Sequence, residues 1–350
     1  MHFPPLTFKP ILKPRAWGGD SLRDFGKAID GDTPTGESWE LADLPDSIPD
    51  GRSVVSGGPF DGRTLRSLIE EDPTGILGRA QPGPDGGFPL LIKILDAREN
   101  LSVQLHPSAA YADTHEDAYL KTEAWLILDA DPGALVYAGI EEAVDHDRFR
   151  EALASGNVRE LLVATEVTAG DCVFLESGLC HALGEGLVAA EVQTPSDTTF
   201  RVWDWNRNDP NRKLHVEEAL ECVRLGSGQA SKWPRITRRS EATSLAHDGL
   251  EVTTLVDCDR FRMERFEPAA GRDDSTSFTF PTNGMPHVFM SCSGTASLTA
   301  NGASIQLPRG TTALLPAAAG SAEITLEVRD NQRCELLHAI PPDPLAETLA

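Results

Sequence analysis

Gln104, His106, Glu123 and His181 are the residues of this chain best suited by type and spacing to hold a metal ion. Two imidazoles, one carboxylate and one amide oxygen suit a borderline divalent cation, with nitrogen and oxygen donors and no thiolate. In Leu101–His106 the apolar Leu101, Val103 and Leu105 alternate with Ser102, Gln104 and His106, so Gln104 and His106 share one strand face. Pro107 has no N–H to continue a ladder and ends that strand. The same alternation puts Glu123, Trp125 and Ile127 on one face of the next strand. Short strands carrying inward ligands describe a metal site inside a β-barrel.

Four further residues could serve chemistry beside such a site. Lys93 lies in the apolar run LLIKIL, which suits a lysine lining a polar cavity. Lys121 shares the face of Glu123 if the strand begins that early. Alternation sets Glu191 opposite Val188, Ala190 and Val192, and Arg201 opposite Phe200 and Val202, so both can point inward. The planar guanidinium of Arg201 suits bidentate contact with an oxyanion or phosphate, the competing assignment being an ion pair with Asp197 or Asp204.

The run from Gly170 through Glu176, Ser177 and Gly178 to His181 resembles the second cupin motif, with Glu176 where proline is usual. The blocks WGG (17–19), GESWEL (36–41), FPLLIKILDA (88–97), LSVQLHP (101–107), KTEAW (121–125), HALGEG (181–186) and SDTTFRVWDWNR (196–207) together resemble the type I mannose-6-phosphate isomerases. The likeness is dense over about the first 225 residues and thin afterwards. It implies a zinc-dependent cupin, with one Zn²⁺ on Gln104, His106, Glu123 and His181, and with Lys93, Lys121, Glu191 and Arg201 serving chemistry and substrate binding. Its expected ligand is a small sugar phosphate, interconverted between mannose 6-phosphate and fructose 6-phosphate. Departures from the family pattern are Leu120, Phe200, Thr194–Pro195 and Cys180 beside a ligand; they bear on substrate preference more than on the metal.

An aldose–ketose isomerase moves a proton between C1 and C2 through an enediolate, and needs a Lewis acid, a positioned base and cations for developing charge. Lys93, Lys121 and Glu191 are all open as the base. Two alternatives stand beside this reading: an isomerase of another aldose or aldose phosphate, and a metal-containing sugar-phosphate binding protein without turnover. A cupin dioxygenase is a poorer match to the Gln–His–Glu–His set.

Composition narrows the partners. At 350 residues the chain can bury a large core, and its net charge of −23 disfavours nucleic acid and anionic membranes. That charge also repels a sugar phosphate at long range, so binding needs a local cationic patch, for which Lys93, Lys121 and Arg201 are available. No window approaches the ~20 apolar residues of a membrane helix, and Pro and Lys interrupt the first residues before a signal-type apolar run can form. Six cysteines without a C-x-x-C pair read as reduced packing residues of a cytoplasmic protein.

The pattern predicts a mainly β protein: two cupin jelly-roll barrels, the second without a metal site, with helical insertions. Residues 1–225 form the expected metal-binding catalytic region, 226–240 a linker, and 241–350 a C-terminal jelly-roll-like region. Helices are expected over Leu65–Leu77, over Glu141–Val163 with a break at Gly156, over Val216–Arg224, and in short form within Ser108–Leu120. Asn301–Gly302 marks a hairpin turn. His287 and His338 lack ligand-like neighbours in sequence, and His215 is expected only as a contact at a helix N-terminus.

Overall fold

The computed structural model describes residues 2–345 except 32, 208, 211, 226–234, 248, 273, 330 and 331. It is mainly β, with short helices between strands. A seven-stranded antiparallel sheet runs in the order 235–237, 172–175, 123–130, 187–193, 91–97, 35–41, 11–19. Against it lies a five-stranded sheet in the order 200–203, 103–105, 181–183, 135–140, 162–166. A second seven-stranded sheet, 6–7, 312–315, 287–293, 335–340, 262–268, 250–257, 244–247, accompanies a four-stranded one, 276–281, 321–326, 295–300, 303–308.

The strands Leu91–Ala97 and Leu187–Gln193 are buried at every residue. Alternation explains how: one face of their sheet joins a core running from Ile94, Leu126 and Val192 to Met263, Val288 and Leu337 of the C-terminal sheet. The other face carries Lys93, Glu123, Glu191 and Gln193. Polar groups buried on such a face must find partners or line a cavity, and this requirement makes the first sheet pair a site rather than a plain sandwich.

Two of the motif blocks owe their glycines to close approach. A Cβ on Gly18 would lie 2.3 Å from the backbone nitrogen of Gly36, so the WGG and GESWEL strands can pass only as glycines. Gly178 turns at φ +81°, where a Cβ would meet the Cys222 carbonyl at 2.6 Å. At Glu176, the position usually proline, the side chain ion-pairs with Arg224 and with Arg235 (3.2 Å), and these contacts hold the turn.

The helical insertions are Leu65–Glu71, Pro73–Leu77, Ala109–Ala112, His146–Ser155 and Val216–Cys222. Thr64, Asp72 and Asp145 cap theirs by accepting from the backbone N–H three residues on. Gly156 ends its helix in the left-handed region at φ +75°. Asn301 and Gly302, both at positive φ, join Thr295–Ala300 to Ala303–Pro308 as a tight hairpin.

Two sets of contacts cross the boundaries expected from sequence. Residues 226–234 of the expected linker lie outside the described residues, while Arg235–Thr237 form a strand on Cys172–Leu175, in the sheet that carries Glu123. Leu6–Thr7 pair with Ala313–Leu314 of the C-terminal sheet, and Lys27 Nζ donates to the Gly310 carbonyl at 2.8 Å. The chain's first residues therefore add an edge strand to the C-terminal sheet. Among the described residues all six cysteines are free, and all but Cys258 are buried.

Candidate metal centre and substrate cleft

Glu123 opens the strand Glu123–Ala130, while His181 opens a three-residue strand in the facing sheet and His106 follows the strand Val103–Leu105. Their ligand atoms all lie within 4.8 Å of one another, and all three side chains are fully buried. His106 Nε2 is 3.2 Å from Glu123 Oε2, and His181 Nε2 is 3.1 Å from Glu123 Oε1.

Backbone carbonyls fix the tautomers. His106 Nδ1 faces the Thr198 carbonyl at 3.2 Å and His181 Nδ1 faces that of Leu179 at 2.8 Å. Each Nδ1 must carry the proton to donate, which leaves both Nε2 lone pairs aimed at a carboxylate. Two lone pairs and two carboxylate oxygens, none with a hydrogen-bond partner by geometry, converge in a buried pocket whose one neighbouring cation is the Lys121 ammonium, 2.9 Å from Glu123 Oε2. Lys121 reaches only one carboxylate oxygen and neither imidazole, so the lone pairs still face the carboxylate unfavourably, and a divalent ion among them fits the set. Burial, then the nearby Lys121 ammonium, push His106 down to about 3, so the ring is neutral and ready to ligate. Burial raises the Glu123 carboxyl, but the Lys121 ammonium outweighs it and holds it well below the usual range. Cys180 is no competitor: burial lifts its thiol to about 12.

Gln104 sits directly across from His181 on one side and Arg201 on the other. Its amide oxygen lies 3.3 Å from the Ser102 hydroxyl, which donates to it. The chain thus places Gln104 beside the triad, on the wall of a cleft of about 360 Å³. Arg15, Trp17, Glu37, Lys93, Lys121, Glu191, Asp197, Arg201, Arg212 and His215 also line that cleft.

The two lysines of the expected cationic patch are both spoken for. Lys93 Nζ is 2.9 Å from Glu191 Oε2 and 3.9 Å from Glu37 Oε2. Burial favours a neutral lysine, yet Glu191 and Glu37 outweigh it and hold the Lys93 pKa well above its ordinary value. Lys121 Nζ is 2.9 Å from Glu123 Oε2. Trp125 Nε1 donates to the other Glu191 oxygen at 2.9 Å, and Trp39 Nε1 and Arg15 Nε each donate to Glu37. Each lysine therefore already has a carboxylate partner.

Arg201 has none among the described residues. Its Nε donates to Ser102 Oγ and its Nη1 to the Lys213 carbonyl, both at 3.1 Å, and neither Asp197 nor Asp204 pairs with it. Asp204 instead takes Arg212 (2.7 Å) and Arg207 (3.2 Å). Burial, then the Arg212 guanidinium, lower the Arg201 pKa, with Arg15 and Arg207 adding to the crowding of positive charge. His215 caps the following helix and accepts from the Arg201 backbone N–H at 3.3 Å.

Sequence reasoning did not reach Arg15, Glu37, Arg212 or His215 as cleft residues, and saw Asp197 only as a possible partner of Arg201. Asp197 is exposed to the cleft, and among the described residues its carboxylate takes no hydrogen bond. No local signal marks the two arginines, but Asp197 precedes Arg201 by four residues in the same block. A separate depression of about 440 Å³ is walled by Asp20, Asp96, Asp129, Asp131 and Glu185, and suits no anion.

The fold and the buried His–Glu–His cluster define a cupin-like β protein with a metal-capable centre under a polar cleft. Residues 6–125 match the catalytic domain of phosphomannose isomerase type I. The chain is 36% identical over 266 residues to mannose-6-phosphate isomerase ManA of Bacillus subtilis strain 168, covering 75% of this chain and 79% of that one. It is 35% identical over 329 residues to the probable mannose-6-phosphate isomerase GmuF of the same organism, covering 92% and 96%. A crystal structure of the mannose 6-phosphate isomerase from Bacillus subtilis superimposes with a TM-score of 0.80 at 28% identity, over 96% of this chain and 99% of that one. The chain belongs to the type I phosphomannose isomerase family.

Proposed function

We propose that the chain interconverts mannose 6-phosphate and fructose 6-phosphate in a metal-dependent reaction. The observation that carries this is the convergence of two imidazole nitrogens and two carboxylate oxygens of His106, Glu123 and His181, all buried, beneath the cleft. A divalent ion, for which zinc suits the donor set, would be held by His106, Glu123 and His181 with Gln104 beside them, and would supply Lewis-acid polarisation of the sugar carbonyl.

The chain's own groups complete the chemistry. Arg201, without a carboxylate partner among the described residues, is the anion-binding end for a phosphate, while the neighbouring Arg15 and Arg212 are paired with Glu37 and Asp204. Lys93 keeps its proton and therefore acts as a donor to sugar oxygens rather than as the base, with Glu191 holding it in place. Lys121 stands next to the metal-binding carboxylate, where its ammonium can meet charge developing on O1 or O2. Asp197 is the cleft carboxylate with its lone pairs uncommitted, and we assign it the proton carried between C1 and C2, a role Glu191 would take only by giving up Lys93 or Trp125.

The test is conversion of mannose 6-phosphate by purified protein before and after chelation, with zinc re-added. Activity that chelation removes and zinc restores supports the reading. A folded, zinc-loaded protein without turnover moves it to another aldose phosphate or to a binding protein. Solvent-deuterium incorporation at C2, lost in Asp197→Asn, tests the proton carrier.

A further inference from the structure

A second cluster of titratable groups lies in the C-terminal sheet, far from the metal centre along the chain. Glu264, His338 and His287 stand on three neighbouring strands, Arg262–Pro268, Glu335–Ile340 and His287–Ser293. Glu264 Oε2 is 3.0 Å from His338 Nδ1, His338 Nε2 is 2.9 Å from His287 Nδ1, and His287 Nε2 is 3.0 Å from the Thr282 carbonyl oxygen. Both histidines are buried, at 3% and 5% exposure.

Counting protons gives the inference. Three contacts need three protons, one between each pair of heavy atoms. The chain ends in acceptors on both sides, a carboxylate and a carbonyl. Two neutral imidazoles bring only two N–H groups. If His338 donates to Glu264 and His287 donates to His338, a lone pair of His287 Nε2 faces the Thr282 carbonyl. If both rings are turned to the other tautomer, a lone pair of His338 Nδ1 faces the carboxylate. Either leaves two acceptors about 3 Å apart in a dry place.

We propose that this chain is a proton-binding site: at neutral pH it holds a third proton, carried on the imidazole pair, so that one of the two rings donates from both nitrogens. Glu264 is the counter-charge. Burial raises its carboxyl, but His338 outweighs this, and Arg262, 2.8 Å from Glu264, adds to the effect. The charged groups facing the chain are Glu264 and Arg262, both on one strand. The other packed elements contribute rings: Phe280 meets His287 edge-on at 4.8 Å, Phe289 stacks on His338 at 4.9 Å, and Phe266 lies 5.3 Å from His338. Aromatic faces favour a cation over a neutral ring. Desolvation works the other way and, with the charge of His338, would drag His287 down to about 3. The donor–acceptor geometry is inconsistent with both rings being neutral beside an ionised Glu264.

The proton has a structural consequence. The Thr282 carbonyl begins the turn whose Asn283 and Gly284 carbonyls accept from Arg79 Nη1 (2.6 Å) and Arg79 N (3.1 Å), beside the helix Pro73–Leu77. The proton chain thus pins the turn through which the C-terminal sheet pair grips the N-terminal region.

Linkage gives opposite signs for the two protonation states. A folded protein holding the third proton binds more protons than the unfolded chain, whose histidines titrate near 6.5, so it loses stability as pH rises from 7 to 9. Neutral rings with depressed pKa values would instead lose stability on acidification below about 6.5. Glu264→Gln separates them. Its amide oxygen can keep Arg262 while its NH₂ supplies the missing hydrogen to His338, so the variant's chain is complete with two neutral rings. The experiment is thermal unfolding of the full-length wild type and E264Q from pH 7 to 9. The wild-type Tm should fall relative to the variant by about 2–5 °C across that range. A gap that stays constant or widens in the wild type's favour would overturn the proposal. If E264Q does not fold, nitrogen spectra of histidine-labelled wild type at pH 8 decide: three ring N–H groups shared by His287 and His338 are expected, and one on each ring sinks it.

Discussion

Lys93 and Glu191 face each other across neighbouring strands, in register, with their charged atoms 2.9 Å apart and their side chains 6% and 4% exposed. The pair is buried, and each member is the other's main compensation for leaving water. Breaking one partner of such a pair costs far more than the pair contributes, because a bare charge stays behind. Lys93→Met should therefore destabilise the protein by about 3–5 kcal/mol. Adding Glu191→Gln should recover most of that loss. Urea unfolding of the two single variants and the double variant checks this; losses that simply add would mean that Glu191 leans on Trp125 alone.

Glu37 gives a pH-dependent counterpart. Burial raises its carboxyl, but Lys93 and Arg15, with a hydrogen bond from Trp39, overcome this and bring it down to about 2. A carboxyl depressed in the folded state stabilises above its unfolded pKa, near 4.5, and that contribution disappears as pH falls toward 2. Wild type should exceed Glu37→Gln in stability by roughly 3 kcal/mol at pH 6. The difference should shrink steadily between pH 4.5 and 2. Urea midpoints at pH 6, 4 and 3 read it, and a difference independent of pH would mean that Glu37 is not held ionised by its neighbours.

The metal centre carries a third expectation. An ion that binds the folded chain alone stabilises it by RT ln(1 + [L]/Kd), about 4 kcal/mol at a thousandfold excess over Kd. Zinc should therefore raise the Tm of chelated wild type by several degrees. His181→Ala and Glu123→Gln should abolish the rise, and Gln104→Ala, whose amide lies beside the triad, should weaken it. Calorimetry with zinc alone is the measurement. An equal rise in wild type and His181→Ala would place the ion elsewhere.

These elements also show what was readable in the chain. Strand alternation alone set His106 and Glu123 on inward faces, because side-chain direction in a strand is a local property. Lys93 was readable for a related reason, since a charge inside the apolar run LLIKIL has few places to go. The long-range pairings were not. Leu6 joining Leu314, Arg235 joining Phe174, and His287 reaching His338 across 51 residues depend on sheet order, which no local pattern encodes. Arg15 and Arg212 belong to the same class: each is an ordinary surface-type residue until the sheets bring it to the rim of one cleft. The pairing of Lys93 with Glu191 and of Lys121 with Glu123 was hidden for another reason. Charge counts along a sequence do not show which carboxylate will neutralise which cation.

Arg201 separates binding from folding. It is held by a hydroxyl and a backbone carbonyl and makes no ion pair among the described residues, so removing its charge strands no buried carboxylate. Arg201→Ala should thus cost little stability, and its zinc-induced Tm rise should match wild type. Turnover should suffer, because a guanidinium aimed at an anion in a shielded cleft is worth roughly 10²–10³ in rate when it meets charge in the transition state. If Arg201 binds the phosphate, the loss falls in kcat/KM, and inhibition by inorganic phosphate weakens in parallel. If it meets the enediolate instead, kcat falls while phosphate inhibition is unchanged. Wild-type kcat/KM in the variant would exclude Arg201 from the site. The flanking Arg212 is committed to Asp204, so Arg212→Ala should reproduce only a small part of the effect.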